Sequence, residues 1–322
     1  MENNLRIVFM GTPGFAAHIL NELVNSNYNI VGVVTTPDRA AGRGYKLQSS
    51  DVKKTAVQHQ LPILQPENLK DSQFHEDLAK WDADLFVVIA FRMLPKVVWS
   101  MPKKGTFNLH GSLLPQYRGA APINWAIING EDETGVTTFF IDEKIDTGNI
   151  ILKDTCRIDH TDTAGSLHDK LMVLGAGLVQ KTLDNISNEA IKTTAQEDLF
   201  ADEQQLRDAP KIFKPMCEIN FNQSTTSVYN FIRGLNPYPA AHCLISSDDQ
   251  DGVMHKIFNC DDNISSHSFQ PGHIETDGKN FYRIYCLDGF LEIKEIQQAG
   301  KRKMAIGDYL RGLKQSDTLK VV

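Results

Sequence analysis

The chain has 322 residues, a formal net charge of −7 and 41% hydrophobic residues, the composition of an ordinary globular protein of one or two domains. No apolar run comes near the roughly 18 residues of a membrane span, and MENNLRIVFMG lacks the basic, apolar and cleavage segments of a secretory signal, so no membrane partner and a cytoplasmic location are expected. Five scattered cysteines (Cys156, Cys217, Cys243, Cys260, Cys286) without a CxxC pair argue against a disulfide framework or a zinc site, and they fit mostly buried thiols in a reducing compartment.

Residues 5–10 (LRIVFM) form a short apolar run that ends in Gly11-Thr-Pro-Gly14, the pattern of a buried parallel strand entering a tight turn. A helix should follow, because Ala16, Ile19, Leu20, Leu23 and Val24 share one helical face and Pro13 suits a first turn. Residues 29–36 (NIVGVVTT) read as a second buried strand, so the opening is a βαβ unit of a doubly wound sheet. It is no dinucleotide fingerprint: the G-x-G-x-x-G spacing is missing, and Thr35 and Thr36 stand where an acidic residue would end the second strand. A bare strand–Gly–helix turn is equally well a structural feature.

Residues 36–50 (TPDRAAGRGYKLQSS) show no clear period and are too polar for a core. A segment of this kind is either a disordered surface loop or a functional one that can clamp a phosphate, with Arg43 the best-placed residue. The charge balance limits such contacts. From Arg207 onward 14 Lys+Arg meet 14 Asp+Glu, so the earlier residues carry the whole −7. Phosphate contact must then be local, at Arg39/Arg43/Lys46, Lys53/Lys54 or Lys301/Arg302/Lys303, each of which taken alone is equally a solvated face.

The alternation continues with a helix over 51–60, a strand at 61–64 and a helix over 71–80. Residues 84–91 (DLFVVIAF) are the most apolar strand and should be central, with a ligand expected beyond its carboxyl end. The next strand, 105–110, places Asn108 and His110 two apart on one face. A further strand over 135–141 precedes Asp146. A lone strand histidine is more often structural, but here it has company.

His110-Gly-Ser-Leu-Leu-Pro115, Tyr117-Arg-Gly-Ala-Ala-Pro122, Glu133-Thr-Gly-Val-Thr137 and Asp146-Thr-Gly148, with Gly11-Thr-Pro13 and Ala41-Gly-Arg-Gly44, resemble the formyltransferases that use 10-formyltetrahydrofolate. The likeness covers nearly all of the first two-thirds of the chain. It continues more weakly into Ala209-Pro-Lys-Ile212 and Arg233-Gly-Leu-Asn-Pro-Tyr-Pro239. Within the family the chain is most similar to the members whose acceptor is the methionine on initiator Met-tRNA. One departure falls at Phe91-Arg-Met-Leu-Pro95, where the family pattern carries Tyr-Gly.

The resemblance implies a Rossmann-like catalytic domain over 1–200, a linker over 201–210 and an OB-like tRNA-binding barrel over 211–322, acting as a monomer. It implies Asn108, His110 and Asp146 as catalytic residues. The folate would lie against Val88, Ile89, Ala90, Phe91, Arg92, Met93 and Leu94, with Ser112, Leu113, Leu114, Pro115 and Asp142. Arg39, Arg43, Lys46, Lys301, Arg302 and Lys303 would contact tRNA, and no metal is implied. The residues themselves add that a helix over 162–186 (Leu167, Leu171, Leu174, Leu178) closes the first domain and that 196–210 is charged and linker-like. Short strands then surround one helix near 225–235, the pattern of a small barrel, including a hairpin at 282–293 with Asp288-Gly289 suited to a type I′ turn.

Overall fold

The structure is a computed structural model and describes residues 5–41, 46–247, 251–313 and 319–322. Its chain divides into two compact units. The first comprises 1–119, 133–157 and 168–209, and the second comprises 120–132, 158–167 and 210–322. A change of unit thus falls between Ala209 and Pro210, and two earlier segments also belong to the second unit.

The first unit is built on a seven-stranded sheet. In chain order its elements begin with β1 (Ile7–Gly11), α1 (Gly14–Asn25), β2 (Ile30–Val34), β3 (Arg39–Ala41), β4 (Lys46–Gln48), α2 (Asp51–Gln58), β5 (Ile63–Leu64) and α3 (Ser72–Ala79). They continue with β6 (Leu85–Ile89), α4 (Lys96–Trp99), β7 (Thr106–His110) and β8 (Arg118–Gly119); after α5 (Pro122–Ile128), which belongs to the second unit, come β9 (Glu133–Phe140) and β10 (Ile150–Arg157). The sheet order is β10-β9-β7-β6-β1-β2-β5. Strands β7, β6, β1, β2 and β5 run parallel, whereas β9 and β10 are antiparallel additions at one edge. The expected parallel sheet is therefore parallel-dominated.

Apolar composition explains which strands are central. All five residues of β1 and of β6 are buried. Val8, Met10, Phe86 and Val88 join Phe74, Leu78, Leu94 and Val98 in one cluster on one face, each contributing about 1.5–3 kcal/mol for its side chain. The long helix α6 (Ala164–Ser187) carries the expected stripe, with Leu171 and Leu178 buried. At Gly175 a Cβ would come within 2.8 Å of the Leu109 side chain, so α6 lies close over β7. The chain leaves β1 toward β2 on one side and returns to β6 on the other. That reversal places a crevice at the carboxyl ends of β1 and β6, next to that of β7.

Two expectations need correction in this unit. Residues 36–50 are not without regular structure: β3 and β4 pair antiparallel, with Arg39 opposite Gln48 and Ala41 opposite Lys46. Nor is 196–210 an open linker. A 3₁₀ turn covers Gln196–Leu199, a second covers Glu203–Gln205, and β11 (Asp208–Ala209) pairs with β8.

The second unit holds α7 (Thr225–Leu235) and an antiparallel sheet of order β14-β15-β16-β13-β12-β18. Its strands are β12 (Ala241–Ser247), β13 (Val253–Ile264), β14 (Ile274–Thr276), β15 (Tyr282–Tyr285), β16 (Gly289–Gln298), β17 (Met304–Ala305), which pairs with β16, and β18 (Leu319–Val321); α8 (Ile306–Leu310) follows β17. A bridge between His273 and Lys320 links the sheet's two ends, so it nearly closes into a barrel. Register shifts near Ile257, Asn259 and Cys260 let the long strands bend around it. Tyr282, Ile284, Leu291, Ile293, Ile257, Cys243 and Cys260 fill its interior, and Val228, Ile232 and Leu235 of α7 pack on them. Cys217, Cys243, Cys260 and Cys286 are buried free thiols. Burial pushes Cys243 and Cys286 up to about 12, so they stay protonated and inert.

Arg233 is buried, and that burial lowers its pKa; its guanidinium bonds Asn230 Oδ1 at 2.8 Å and the Asp162 carbonyl at 2.9 Å. The arginine of the Arg233-Gly-Leu-Asn motif is therefore spent on this unit's interior. The expected hairpin joins β15 and β16, but its turn is not the type I′ turn of Asp288-Gly289. Cys286 N bonds Gly289 O at 2.8 Å, so Leu287 and Asp288 are the central residues, and neither has the positive φ that type I′ demands. Asp288 instead accepts from Thr225 N at 2.7 Å and Thr225 Oγ1 at 2.8 Å, serving the first turn of α7.

Candidate active site

The carboxyl end of β7 carries Asn108 and His110, and its register against β9 sets Asn108 opposite Phe139 and His110 opposite Thr137. His110 is 6% exposed. Its Nε2 lies 2.7 Å from the Tyr117 carbonyl oxygen. A carbonyl can only accept, so Nε2 carries a proton and Nδ1 is the nitrogen free to gain or lose one. Nδ1 faces Asp146 Oδ2 at 3.7 Å, beyond hydrogen-bond reach but inside the range of charge pairing.

The loop after β7 makes this arrangement possible. Ser112 Oγ donates to Gln116 O at 2.6 Å, Thr137 Oγ1 donates to Ser112 O at 2.7 Å, and Leu114 N donates back to Thr137 Oγ1 at 3.1 Å. Tyr117 sits at φ 61° and is fastened by Tyr117 N to Arg207 O at 2.6 Å and by Arg207 Nη1 to its hydroxyl at 3.2 Å. The curled loop thereby turns its carbonyl toward His110.

Asp146 lies in the connection between β9 and β10 with φ 56°, a left-handed conformation uncommon outside Gly, Asn and Asp. Its Oδ2 accepts from Gly119 N at 3.0 Å. Gly119 has φ 125°, and a Cβ there would meet the Ala209 carbonyl oxygen at 2.5 Å, so the β8–β11 pair needs glycine. Gly148 is likewise required, since a Cβ would collide with the carbonyl of Phe140.

A residue that sequence reasoning missed holds this connection. Gln196 is 1% exposed; its Nε2 donates to Asp146 O at 2.9 Å and Gly148 O at 2.8 Å. Its Oε1 accepts from Arg118 Nε at 3.0 Å and Arg118 Nη2 at 2.7 Å. Arg118 belongs to the Tyr117-Arg-Gly-Ala-Ala-Pro122 motif, and nothing in the sequence pairs it with a glutamine 78 residues away.

Asn108 contributes an unmet group: its Oδ1 is buried and has no partner among the described residues. The two amide orientations have the same shape, so the NH2 donor can occupy that position. Asn108, His110 and Asp146 are thus brought to one end of the sheet, with the Asn108 amide, His110 Nδ1 and the Asp146 carboxylate as its polar groups.

The residues expected to hold folate separate into walls and rim. Val88, Ile89, Leu94, Leu114 and Pro115 are buried, as is Ser112, and Leu113 is half-buried. Ala90 has φ 46° and is exposed, and Met93 is 70% exposed, so the rim is at 90–93. The guanidinium of Arg92 is tied to Pro66 O at 2.7 Å and Glu67 O at 2.9 Å and stacks over Phe91. Burial first, and then repulsion from Arg39, lowers its pKa. Asp142 is exposed, and its carboxylate is taken up by Thr147 Oγ1 at 2.8 and 3.0 Å and Lys144 N at 3.0 Å.

Of the residues expected at tRNA, Arg39 is exposed on β3, and Lys46 stands in β4. Arg43 lies outside the described residues. Lys301, Arg302 and Lys303 are exposed in the turn between β16 and β17, and Lys303 pairs with Glu295 at 2.9 Å. Among the described residues no set of three His, Cys, Asp or Glu could hold a metal ion, and no helix is long and apolar enough to cross a membrane.

Comparison with known proteins gives one lineage. A family model described as "Formyl transferase" matches residues 5–183, and another, "Formyl transferase, C-terminal domain", matches 211–314. The chain is 51% identical over 320 residues to a methionyl-tRNA formyltransferase of Bacteroides thetaiotaomicron, covering 99% of each chain. It is 49% identical over 314 residues to that of Flavobacterium psychrophilum, covering 97% of this chain and 98% of the relative. WlaRD, a sugar 3N-formyl transferase crystallised in the presence of dTDP and 5-N-formyl-THF, shares the fold with a TM-score of 0.64 at 22% identity, over 92% of this chain and 99% of that one. Half of all residues identical along the full length leaves no room for another lineage, and the chain therefore belongs to the formyl transferase family, on its methionyl-tRNA formyltransferase branch.

Proposed function

We propose that the chain transfers the formyl group of 10-formyltetrahydrofolate to the α-amino group of methionine on initiator tRNA, in the cytoplasm, as a monomer and without a metal ion. The observation that carries the chemistry is the pairing of His110 Nδ1 with Asp146 Oδ2 across 3.7 Å, beside the unmet amide of Asn108. The carboxyl ends of β6 and β7 are where an open parallel sheet binds its ligand, and a flat folate ring would lie there against the exposed residues 90 and 93, over a floor stiffened by the buried Val88, Ile89 and Leu114. The folate supplies a formamide whose carbon a neutral amine can attack.

Attack on that carbon creates a tetrahedral centre with a negatively charged oxygen. Asn108 can donate to it from its amide NH2, and His110 from a protonated Nδ1, since its Nε2–H is already given to Tyr117. One such donor is worth about 3–4 kcal/mol of barrier. Asp146 accepts the amine's proton, directly or through a water, and the proton is passed to the departing folate nitrogen. The C–N bond to the folate breaks as the C–N bond to methionine persists, so no enzyme-bound acyl group is required. Arg39, Arg43 and Lys46, with Lys301, Arg302 and Lys303, are assigned to tRNA phosphates, contacts that orient rather than specify.

Incubation of the purified protein with 10-formyltetrahydrofolate and Met-charged initiator or elongator tRNA tests this reading. Formylation of the initiator alone is expected. Formylation of neither tRNA, with an amino-sugar nucleotide accepted instead, would refute it.

A further inference from the structure

We propose that Gln196 is a positioning residue for Asp146, an inference that rests on the formyl-transfer reading above. Every hydrogen-bonding valence of its buried amide is used. Both Nε2 hydrogens go to the carbonyls on either side of Thr147, at 2.9 Å (Asp146 O) and 2.8 Å (Gly148 O), and both lone pairs of Oε1 receive Arg118, at 3.0 and 2.7 Å. Asp146 is held at φ 56°, in the left-handed region that Asp tolerates better than most residues. Gln196 fixes that turn from behind through the backbone. It also grips Arg118, whose neighbour Gly119 donates to the Asp146 carboxylate at 3.0 Å. One amide therefore joins the turn that carries the carboxylate to the strand that orients it. The segment is delivered by the reciprocal bridge between Thr194 and Ile150, 2.9 Å in each direction.

Without these bonds the Asp146 turn can relax, and the carboxylate moves relative to His110 Nδ1. Displacement of about 1 Å at a reacting group costs on the order of 100-fold in rate. Gln196→Met preserves length and apolar volume and removes all four bonds. In single-turnover formylation of initiator Met-tRNA, it is expected to lower kcat ~10- to 100-fold, to leave KM for tRNA and folate within about threefold, and to shift the pH–rate profile. In an Asp146→Asn background the same change should have little further effect, because the group it positions is gone. Arg118→Lys, which cannot reproduce the two-pronged contact, should show the same pattern more weakly, and it carries the test if Gln196→Met does not fold. Unchanged kcat in both variants, a loss confined to KM, or an equal loss in the Asp146→Asn background would overturn the inference while wild-type activity stands. Absence of formylation by the wild type would instead overturn the functional reading beneath it.

Discussion

In the proposed reaction Asn108 and His110 are different kinds of donor, and the difference is set by what their other atoms touch. His110 has one nitrogen committed to the Tyr117 carbonyl at 2.7 Å, which leaves Nδ1 as the nitrogen facing Asp146. Asn108 keeps a buried amide end without a partner among the described residues, at a standing cost of about 1–3 kcal/mol. Asn108→Ala removes that cost together with the donor. It should therefore lower kcat about 10²- to 10³-fold while leaving thermal stability unchanged or slightly raised; a stopped-assay kcat paired with a melting curve checks both. Their shared face was legible from the sequence, because the two-residue period of a strand sets it, whereas the role proposed for them came from the resemblance to the formyltransferases. Gln196 was not legible. It lies 50 residues from Asp146 in a polar stretch, and composition cannot show that one polar side chain among many is buried and fully bonded.

At the level of elements, the strongly periodic stretches were readable and the connections were not. β1, β6, β7, α6 and α7 follow from apolar runs and helical stripes that only a buried face explains. The segment over 196–209 looked like a linker because its bonds run from side chains and short bridges to distant strands. Asp288 shows the same limit. Asp-Gly suggests a turn, but the carboxylate is used as a partner for the first amide of α7, that of the buried Thr225, an interaction between residues 63 apart. Bonds from the Thr225 amide and hydroxyl hold the Asp288 carboxyl below its ordinary range. A depressed folded-state pKa means that the stabilisation is present above the ordinary carboxyl value near 3.8 and is lost as pH falls through the depressed one. Asp288→Ala should then destabilise the second unit by about 1 kcal/mol at pH 7, with the difference from wild type vanishing in acid. Urea titrations at pH 7 and at a series of lower pH values extending well below 3.8 measure it.

For the whole molecule, composition bounded the class but not the organisation. A contiguous split near residue 210 is the simplest reading of the polar segment there. The second unit also takes in 120–132 and 158–167, because α5 lies against α7: Asn124 Nδ2 bonds Gly234 O at 2.7 Å, and a Cβ on Gly234 would meet Ile128 at 2.6 Å. No local period announces such pairings. The proposed reaction, by contrast, draws largely on one stretch, since 108–148 holds Asn108, His110 and Asp146 together with Gly119 and Gly148. The most direct measurement is the single-turnover rate of formyl transfer to initiator Met-tRNA by wild type and by Asp146→Asn, with circular dichroism to verify folding. A fall of about 10²- to 10⁴-fold in the folded variant is predicted for loss of the proton acceptor; transfer at the wild-type rate would contradict a reaction centred on Asp146.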